Sequence, residues 1–162
     1  MFLDIYITNN LHLLKMGGAM TGNSEHIALK YFNSKHILGK QRNVIVVSGY
    51  LKEKLSPEEY KAICYHEEGH YVLKHNTNNS INWRTKELEA DAYASKKVGP
   101  KNVLMALIKI PAIIRACEPL RKHGLLTKTS DEYTIFINKF LNDVNDKMQF
   151  RYKALEKEIL QS

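Results

Sequence analysis

Two histidines and a glutamate near the middle of the chain have a spacing that can bind and use a metal ion. They lie in His66-Glu67-Glu68-Gly69-His70, which has the pattern H-E-x-x-H. Residues four apart on an α-helix share one face and lie about 6 Å apart along the axis, so both imidazoles can bind one ion. Glu67 is turned about 100° from His66, where it can act on a water molecule at the metal without being a ligand. These residues predict metal-assisted hydrolysis, with Glu67 as general base.

An acidic segment further along the chain can complete this site. A catalytic zinc ion usually has three protein ligands and an open fourth position, so two histidines need one more ligand. Glu87 and Asp91 are four residues apart and would share one helix face, whereas Glu89 would point to the nearly opposite side. Glu87 is therefore predicted to be the third zinc ligand. Asp91 is predicted to orient a zinc histidine through its non-ligating nitrogen, and Glu89→Gln is expected to do little.

Other polar side chains near the motif are interpreted as structural or solvated. The longer metzincin pattern requires Gly and His where this chain has Leu73 and Asn76, so His75 is expected to be a surface residue at the helix end. Glu68 is expected to be dispensable. The oxyanion of a hydrolytic transition state needs a donor besides zinc, and the residue types leave several candidates open. They are His123, Tyr133, Tyr93 and Arg151.

The elements that must position these residues are mostly helical. Ser56, Pro57 and Glu59 form the clearest helix start in the chain, because they supply an N-cap, a proline at the first helical position and a capping box. Apolar periodicity predicts that this helix continues to about residue 74. Stop signals and periodicity predict further helices over residues 85–98, 101–117 and 130–160.

The β-structure is expected to be small. Residues 3–7 alternate as in a strand, and residues 15–23 are interpreted as a loop because of Gly17 and Gly18. Residues 36–38 and 44–47 are interpreted as a hairpin, whose second arm could offer an edge to an extended peptide. The predicted fold class is α+β, a mainly helical domain with a small sheet or hairpin, and residues 1–162 are expected to form one domain.

Composition limits the partners and the location. The net charge is +7, but 19 of the 24 basic residues are lysines without a dense block, which favours a generally basic surface over nucleic-acid binding. The longest apolar run, residues 103–117, is interrupted by two charges and a proline, so no membrane span is expected. Cys64 and Cys117 lie in apolar stretches and are expected to be reduced and buried, which favours a cytoplasmic location.

Residues 43–98 resemble the catalytic half of the HtpX-type family of gluzincin metallopeptidases. A β-rich segment is followed by a capped helix with H-E-x-x-H and then by a helix with E-x-x-A-D, here Glu87 to Asp91. The resemblance implies a zincin-like fold and a zinc endopeptidase that acts on proteins or peptides, with His66, His70 and Glu87 as ligands of Zn²⁺. Two features depart from the family: its best-known members carry transmembrane helices, and the downstream His-Pro motif has no clear counterpart here.

Two other functions remain open at this point. Short zincin proteins that cleave or bind a transcriptional repressor also combine H-E-x-x-H with an acidic E-x-E-A-[DN] helix, which residues 87–91 fit as well. A non-enzymatic basic binding module with a structural zinc is the other alternative. Structural zinc sites usually have four protein ligands, often cysteines, and neither cysteine of this chain has ligand spacing. The sequence leaves the substrate and the oligomeric state open.

Overall fold

The structure is a computed structural model that describes residues 1–15, 17–24, 26–27, 42–122 and 148–162. Over these residues the protein is mainly helical and has one small three-stranded sheet. This architecture agrees with the predicted α+β class. None of the helices in these ranges is long and apolar enough to cross a membrane.

The sheet is built around one apolar strand. Strand β1 is Asp4–Thr8, β2 is Ala19–Asn23 and β3 is Asn43–Ser48, in the order β1-β3-β2. β1 is parallel to β3 and β2 is antiparallel to it. The four residues from Val44 to Val47 are fully buried, as expected for an apolar run with neighbours on both sides. The prediction that this strand offers an edge to a peptide is therefore wrong, because β3 is the central strand.

The loop predicted for residues 15–23 is also wrong in part, because β2 occupies its second half. Gly17 and Gly18 have positive φ values of 114° and 88°, so they form the turn that leads into β2. The strand itself has little β-branched or aromatic character, so its residues do not predict a strand. Residues 36–38, the other arm of the predicted hairpin, lie outside the described residues.

Helices cover both faces of the sheet and form most of the core: Leu13 packs with Val44 and Val46 on one face, and Cys64 packs with Ile45 and Val47 on the other. The helices are α1 (Leu11–Lys15), α2 (Gly49–Lys54), α3 (Pro57–Val72), α4 (Trp83–Val98), α5 (Pro100–Ala116) and α6 (Glu118–Lys122). Residues 148–161 are helical as well. The short helices α1, α2 and α6 were not predicted, because five or six residues do not establish a helical period. The part of the predicted 130–160 helix before residue 148 lies outside the described ranges.

Helix α3, which carries H-E-x-x-H, begins as predicted. The Ser56 hydroxyl accepts a hydrogen bond from the Glu59 amide at 3.3 Å, and the Glu59 carboxylate accepts one from the Ser56 amide at 2.8 Å. Lys109 of α5 donates to the other carboxylate oxygen of Glu59 at 2.6 Å. The start of α3 is therefore bound both to its own cap and to α5.

Close packing of α3 against α4 depends on Gly69. A Cβ atom at this position would lie 3.2 Å from the Cα atom of Ala90 on α4, which is tighter than ordinary contact. Glycine thus lets the two backbones approach each other between the motif histidines. α4 begins two residues earlier than predicted, since Asn82 caps it by accepting from the Thr85 amide at 2.9 Å.

Both cysteines lie in the core as free thiols. Cys64 packs on the sheet with Ile45 and Val47, on the side of α3 away from the motif histidines. Cys117 belongs to the larger cluster formed by the helices. Burial raises the pKa of the Cys64 thiol to about 11, so this group is a neutral core residue and not a metal ligand.

Candidate metal centre

The structure brings the three predicted ligand side chains together. The Nε2 atoms of His66 and His70 are 3.0 Å apart. The Glu87 carboxylate lies against both, with Oε2 3.5 Å from His66 Nε2 and Oε1 3.4 Å from His70 Nε2. One ligand atom from each side chain lies within 4.8 Å of the others, which is close enough for one ion. Two imidazole nitrogens and one carboxylate oxygen are a donor set that suits zinc.

Glu67 lies beside this group, at the contact of α3 with β2. The Thr21 hydroxyl of β2 is 2.7 Å from the Glu67 carbonyl oxygen and 3.1 Å from its carboxylate Oε2. Glu67 lines the same cavity as the three candidate ligands but is not one of the converging metal-binding groups. The side chain is thus placed next to the centre and not in it.

Asp91 binds His66 at Nδ1, the ring nitrogen that does not face Glu87. The Nδ1 atom of His66 donates to Asp91 Oδ1 at 2.8 Å, and Asp91 is only 2% exposed. A carboxylate can only accept here, so the bond keeps a proton on Nδ1 and directs Nε2 toward Glu87. This is the placement that the spacing of Glu87 and Asp91 predicted.

Arg151, from the C-terminal helical segment, binds both acidic residues of α4. Its Nη2 and Nε atoms donate to the two oxygens of Asp91 at 2.6 and 2.7 Å. Its Nη1 atom lies 2.8 Å from Glu87 Oε2. The sequence suggested Arg151 only as one of four oxyanion donors. The structure instead commits its guanidinium to Asp91 and Glu87.

The charges at the centre fit a divalent cation. With His66 neutral, as a metal ligand must be, the carboxylates of Glu67, Glu87 and Asp91 and the guanidinium of Arg151 sum to −2, which one divalent ion would neutralise. Burial alone would raise the pKa of Glu87, but hydrogen bonds with His66 and His70 and the charge of Arg151 hold it well below its usual range. Burial also raises the pKa of Asp91, and the hydrogen bonds from Arg151 and His66 lower it by more. Both α4 carboxylates are therefore ionised.

His66 carries a proton that a metal ion would have to displace. Burial and the nearby Arg151 lower its pKa, but hydrogen bonds with Asp91 and Glu87 outweigh both and raise it to about 9. Because Asp91 holds the proton on Nδ1, the proton that leaves on metal binding is the one on Nε2. Binding of a metal ion to these side chains would therefore release a proton.

His75 was expected at the surface, but it is buried against the centre with only 2% of its area exposed. Its Nδ1 atom is 2.9 Å from His70 Nδ1, and its Nε2 atom is 2.9 Å from Glu89 Oε2. As predicted, the side chain of Glu87, and not that of Glu89, faces the two motif histidines. Glu89 is nevertheless connected to the centre, through His75.

Glu68 was expected to be dispensable, but it is fully buried on the other side of α3. Its carboxylate accepts from the backbone amide of Phe2 and, at 3.0 Å, from the hydroxyl of Tyr93. Burial and the bond to Glu68 raise the pKa of Tyr93 to about 12. Tyr93 is therefore a structural partner of Glu68 and not an oxyanion donor, while the candidates His123 and Tyr133 lie outside the described residues.

A cavity of about 380 Å³ opens beside the candidate ligands. Its polar wall consists of His66, Glu67, His70, Glu87 and Arg151. Its apolar wall includes residues of α3, α5 and the C-terminal segment. They are Ile63 of α3, Leu107, Ile110 and Ile114 of α5, and Met148 of the C-terminal segment. A second groove of about 320 Å³ runs past Glu67 and His70 along Ala19, Met20 and Thr21 of β2.

Comparisons with protein-family models, with curated proteins and with solved structures found no match to this chain. The resemblance to the HtpX-type gluzincins therefore stays a prediction from the motifs.

Proposed function

We propose that the protein is a zinc-dependent peptidase in which Glu67 is the general base. One observation carries the proposal: His66, His70 and Glu87 converge, and Glu67 lines the same cavity without joining them. Bound to these three side chains, zinc would polarise a peptide carbonyl and lower the pKa of water to about 7. The zincin-like fold, the cofactor and the enzymatic activity are parts of this one proposal.

Within this proposal, Glu67 moves the proton. Its carboxylate accepts a proton from the attacking water and passes it to the leaving amine, which is the work of a general base and then a general acid. The single hydroxyl proton of Thr21 is shared between the carbonyl oxygen of Glu67, at 2.7 Å, and its carboxylate, at 3.1 Å, so Thr21 binds Glu67 to β2. The catalytic carboxylate is thus anchored by the sheet and presented by the helix.

The substrate is proposed to be an extended peptide. β2 pairs with β3 on one side only, among the strands that the structure describes, and its residues line a groove beside Glu67. A peptide that added itself to the outer edge of β2 would satisfy its backbone regardless of its side chains. We therefore assign to β2 the pairing with an extended peptide that the sequence suggested for residues 44–47.

Substitution of Glu67 tests the proposal. Glu67→Gln should retain about one zinc per chain, because no ligand is lost, and should reduce peptide cleavage by about 10²-fold or more. Zinc is measured by metal analysis, and cleavage by mass spectrometry of a broad peptide library. Glu58→Gln, an exposed glutamate in the first turn of α3, is the control and should cleave as the native protein does.

Two results would contradict this assignment. Native turnover by Glu67→Gln would remove Glu67 as the base, and loss of zinc from that variant would make it a ligand. Cleavage of one folded protein without cleavage of any library peptide would instead favour the dedicated regulatory zincin.

A further inference from the structure

We propose that His75 and Glu89 form a relay that holds His70 in the tautomer able to bind a metal through Nε2. The inference rests on the proposed metal centre and adds two positioning residues to it. It assigns a function to the two side chains that the sequence placed at the surface or away from the site.

A sharp turn of the backbone at Lys74 brings the side chain of His75 against that of His70. On a continuous helix, a residue five positions after His70 would point about 140° away from it. Lys74 instead has a left-handed φ of 58°, which is uncommon for a residue other than glycine. The turn brings the His75 amide to 2.9 Å from the His70 carbonyl oxygen, and Lys86 of α4 donates to the His75 carbonyl at 2.6 Å.

The hydrogen bonds allow only one arrangement of protons along a relay of neutral rings. The Glu89 carboxylate only accepts, so the proton of His75 lies on Nε2. The Nδ1 atom of a neutral His75 then has a lone pair and accepts, which requires His70 to donate from its own Nδ1. A neutral His70 with its proton on Nδ1 has its lone pair on Nε2, toward His66 and Glu87.

The opposite direction would block the centre. If His75 donated from Nδ1, His70 would have to accept there and would carry its proton on Nε2, where the metal binds. In a neutral His75 the bond to Glu89 excludes that state, because the single ring proton lies on Nε2. The two motif histidines are thus oriented in parallel, His66 directly by Asp91 and His70 through an intervening imidazole.

Nitrogen NMR of the metal-free full chain, with ¹⁵N-labelled histidine, tests the direction of the relay. The proposal expects His70 protonated at Nδ1, His75 protonated at Nε2, and a coupling between the two Nδ1 nuclei across their hydrogen bond. A His75 protonated at Nδ1, or the absence of that coupling, would overturn the relay.

Zinc affinity, measured by competition with a chromophoric chelator, tests its consequence. His75→Leu should weaken zinc binding about 10- to 100-fold, as for other partners of metal ligands. His75→Asn should recover much of this loss, because its amide oxygen can accept near the position of Nδ1. If the asparagine variant binds zinc no better than the leucine variant, His75 only fills space.

Glu89 offers a second variant that perturbs the fold less, since 46% of its side chain is exposed. Glu89→Ala should weaken zinc binding about 10-fold. The matched control is Glu58→Ala, which removes a glutamate that is 51% exposed and has its own ion pair with Lys61. Equal affinities for Glu89→Ala and Glu58→Ala would overturn the role of Glu89.

The two proposals fail in different ways. A native chain that binds no zinc contradicts the proposed function, while the metal-free NMR spectra still decide the tautomers. A native chain that binds zinc but shows the reversed tautomers contradicts the relay alone.

Discussion

The Glu87 carboxylate is shared between three neighbours. It contacts both motif histidines and, at 2.8 Å, the guanidinium of Arg151. Its charge balances that of Arg151 in a buried setting, and its oxygens face the position where a metal ion would bind. The same residue thus links the electrostatics of the protein interior to the proposed metal centre.

Removing the charge of Glu87 should weaken zinc binding more than removing the charge of Glu89, the other glutamate in this part of α4. Glu87→Gln should weaken zinc binding strongly, because an amide is a poor zinc ligand and leaves Arg151 less well paired. Asp91→Asn should weaken binding about 10- to 100-fold by releasing His66. Glu89→Gln should change affinity little, since an amide oxygen can still accept from His75. Chelator competition measures all three, and stronger loss in Glu89→Gln than in Glu87→Gln would reverse the assignment.

Helical spacing was sufficient to place four residues of the site. His66 with His70, and Glu87 with Asp91, are pairs four apart, and such pairs share a face wherever the helix lies. Arg151 is 60 residues beyond Asp91, so its arrival at the site depends on the path of the chain and not on spacing. His75 depends on the left-handed turn at Lys74, which carries none of the glycine or asparagine that usually signals such a turn.

At the scale of elements, the start of α3 combines a local and a long-range interaction. The capping box uses one oxygen of Glu59, and Lys109 of α5 binds the other. Burial raises the pKa of Glu59, but the hydrogen bonds from Lys109 and Ser56 lower it by more, so the net change is downward. A carboxyl group whose pKa falls on folding stabilises the folded state above its unfolded pKa and loses that effect as pH falls through its folded pKa.

Glu59→Gln should therefore lower the free energy of unfolding at pH 7 by about 1 kcal/mol, since glutamine can keep the capping box but not the charge. The difference from the native protein should shrink as the pH falls below the ordinary pKa of glutamate and through the lowered pKa of the native carboxylate, which then takes up a proton. Urea unfolding between pH 3 and pH 7 measures this. Glu58→Gln is the control and should cost less at pH 7; a Glu59→Gln deficit that stays constant down to pH 3 would contradict the charge effect.

The elements were predictable to different degrees for physical reasons. The cap, the proline and the apolar period of α3 are all local sequence signals, so this helix could be predicted from the sequence. β3 is a local apolar run, but whether it is central or at an edge depends on β1 and β2, which join it from distant parts of the chain. β2 has little strand propensity of its own, and its pairing with β3 overrides that weakness.

At the scale of the whole molecule, Arg151 connects the C-terminal segment to the centre. It is 6% exposed and makes ion pairs with Glu87 and Asp91 of α4. Arg151→Met should lower the free energy of unfolding of the metal-free protein by about 3 to 5 kcal/mol, because the buried Asp91 and the partly buried Glu87 lose their cation. Arg151→Lys should recover part of this, since an ammonium cannot match the paired bonds to Asp91. Denaturant unfolding in the presence of a chelator measures the loss.

Lys153→Met is the control for that comparison, because Lys153 is an exposed neighbour in the same segment. It should leave stability nearly unchanged. Equal costs for the two methionine variants would mean that Arg151 contributes no more than a surface residue does.

Net charge describes the surface of this protein but not its centre. The chain carries +7, whereas the three carboxylates and one guanidinium at the centre sum to −2 once His66 has lost its Nε2 proton. A divalent cation is therefore attracted by the local carboxylates despite the overall positive charge, and it would join α3 to α4 by shared ligands. The energetics of binding should consequently be visible in the stability of the whole molecule.

Zinc at 100 times its dissociation constant should stabilise the native chain by about 2.7 kcal/mol, seen as a higher unfolding temperature in a calorimeter. The shift should vanish in Glu87→Gln, and Mg²⁺ should not produce it, because Mg²⁺ prefers an all-oxygen site. Since zinc must displace the Nε2 proton of His66, whose pKa is about 9, its affinity should fall up to about tenfold for each pH unit below 9. The same zinc concentration should therefore give a smaller shift at pH 6 than at pH 8. A shift that is independent of pH and survives in Glu87→Gln would place the bound zinc somewhere other than this centre.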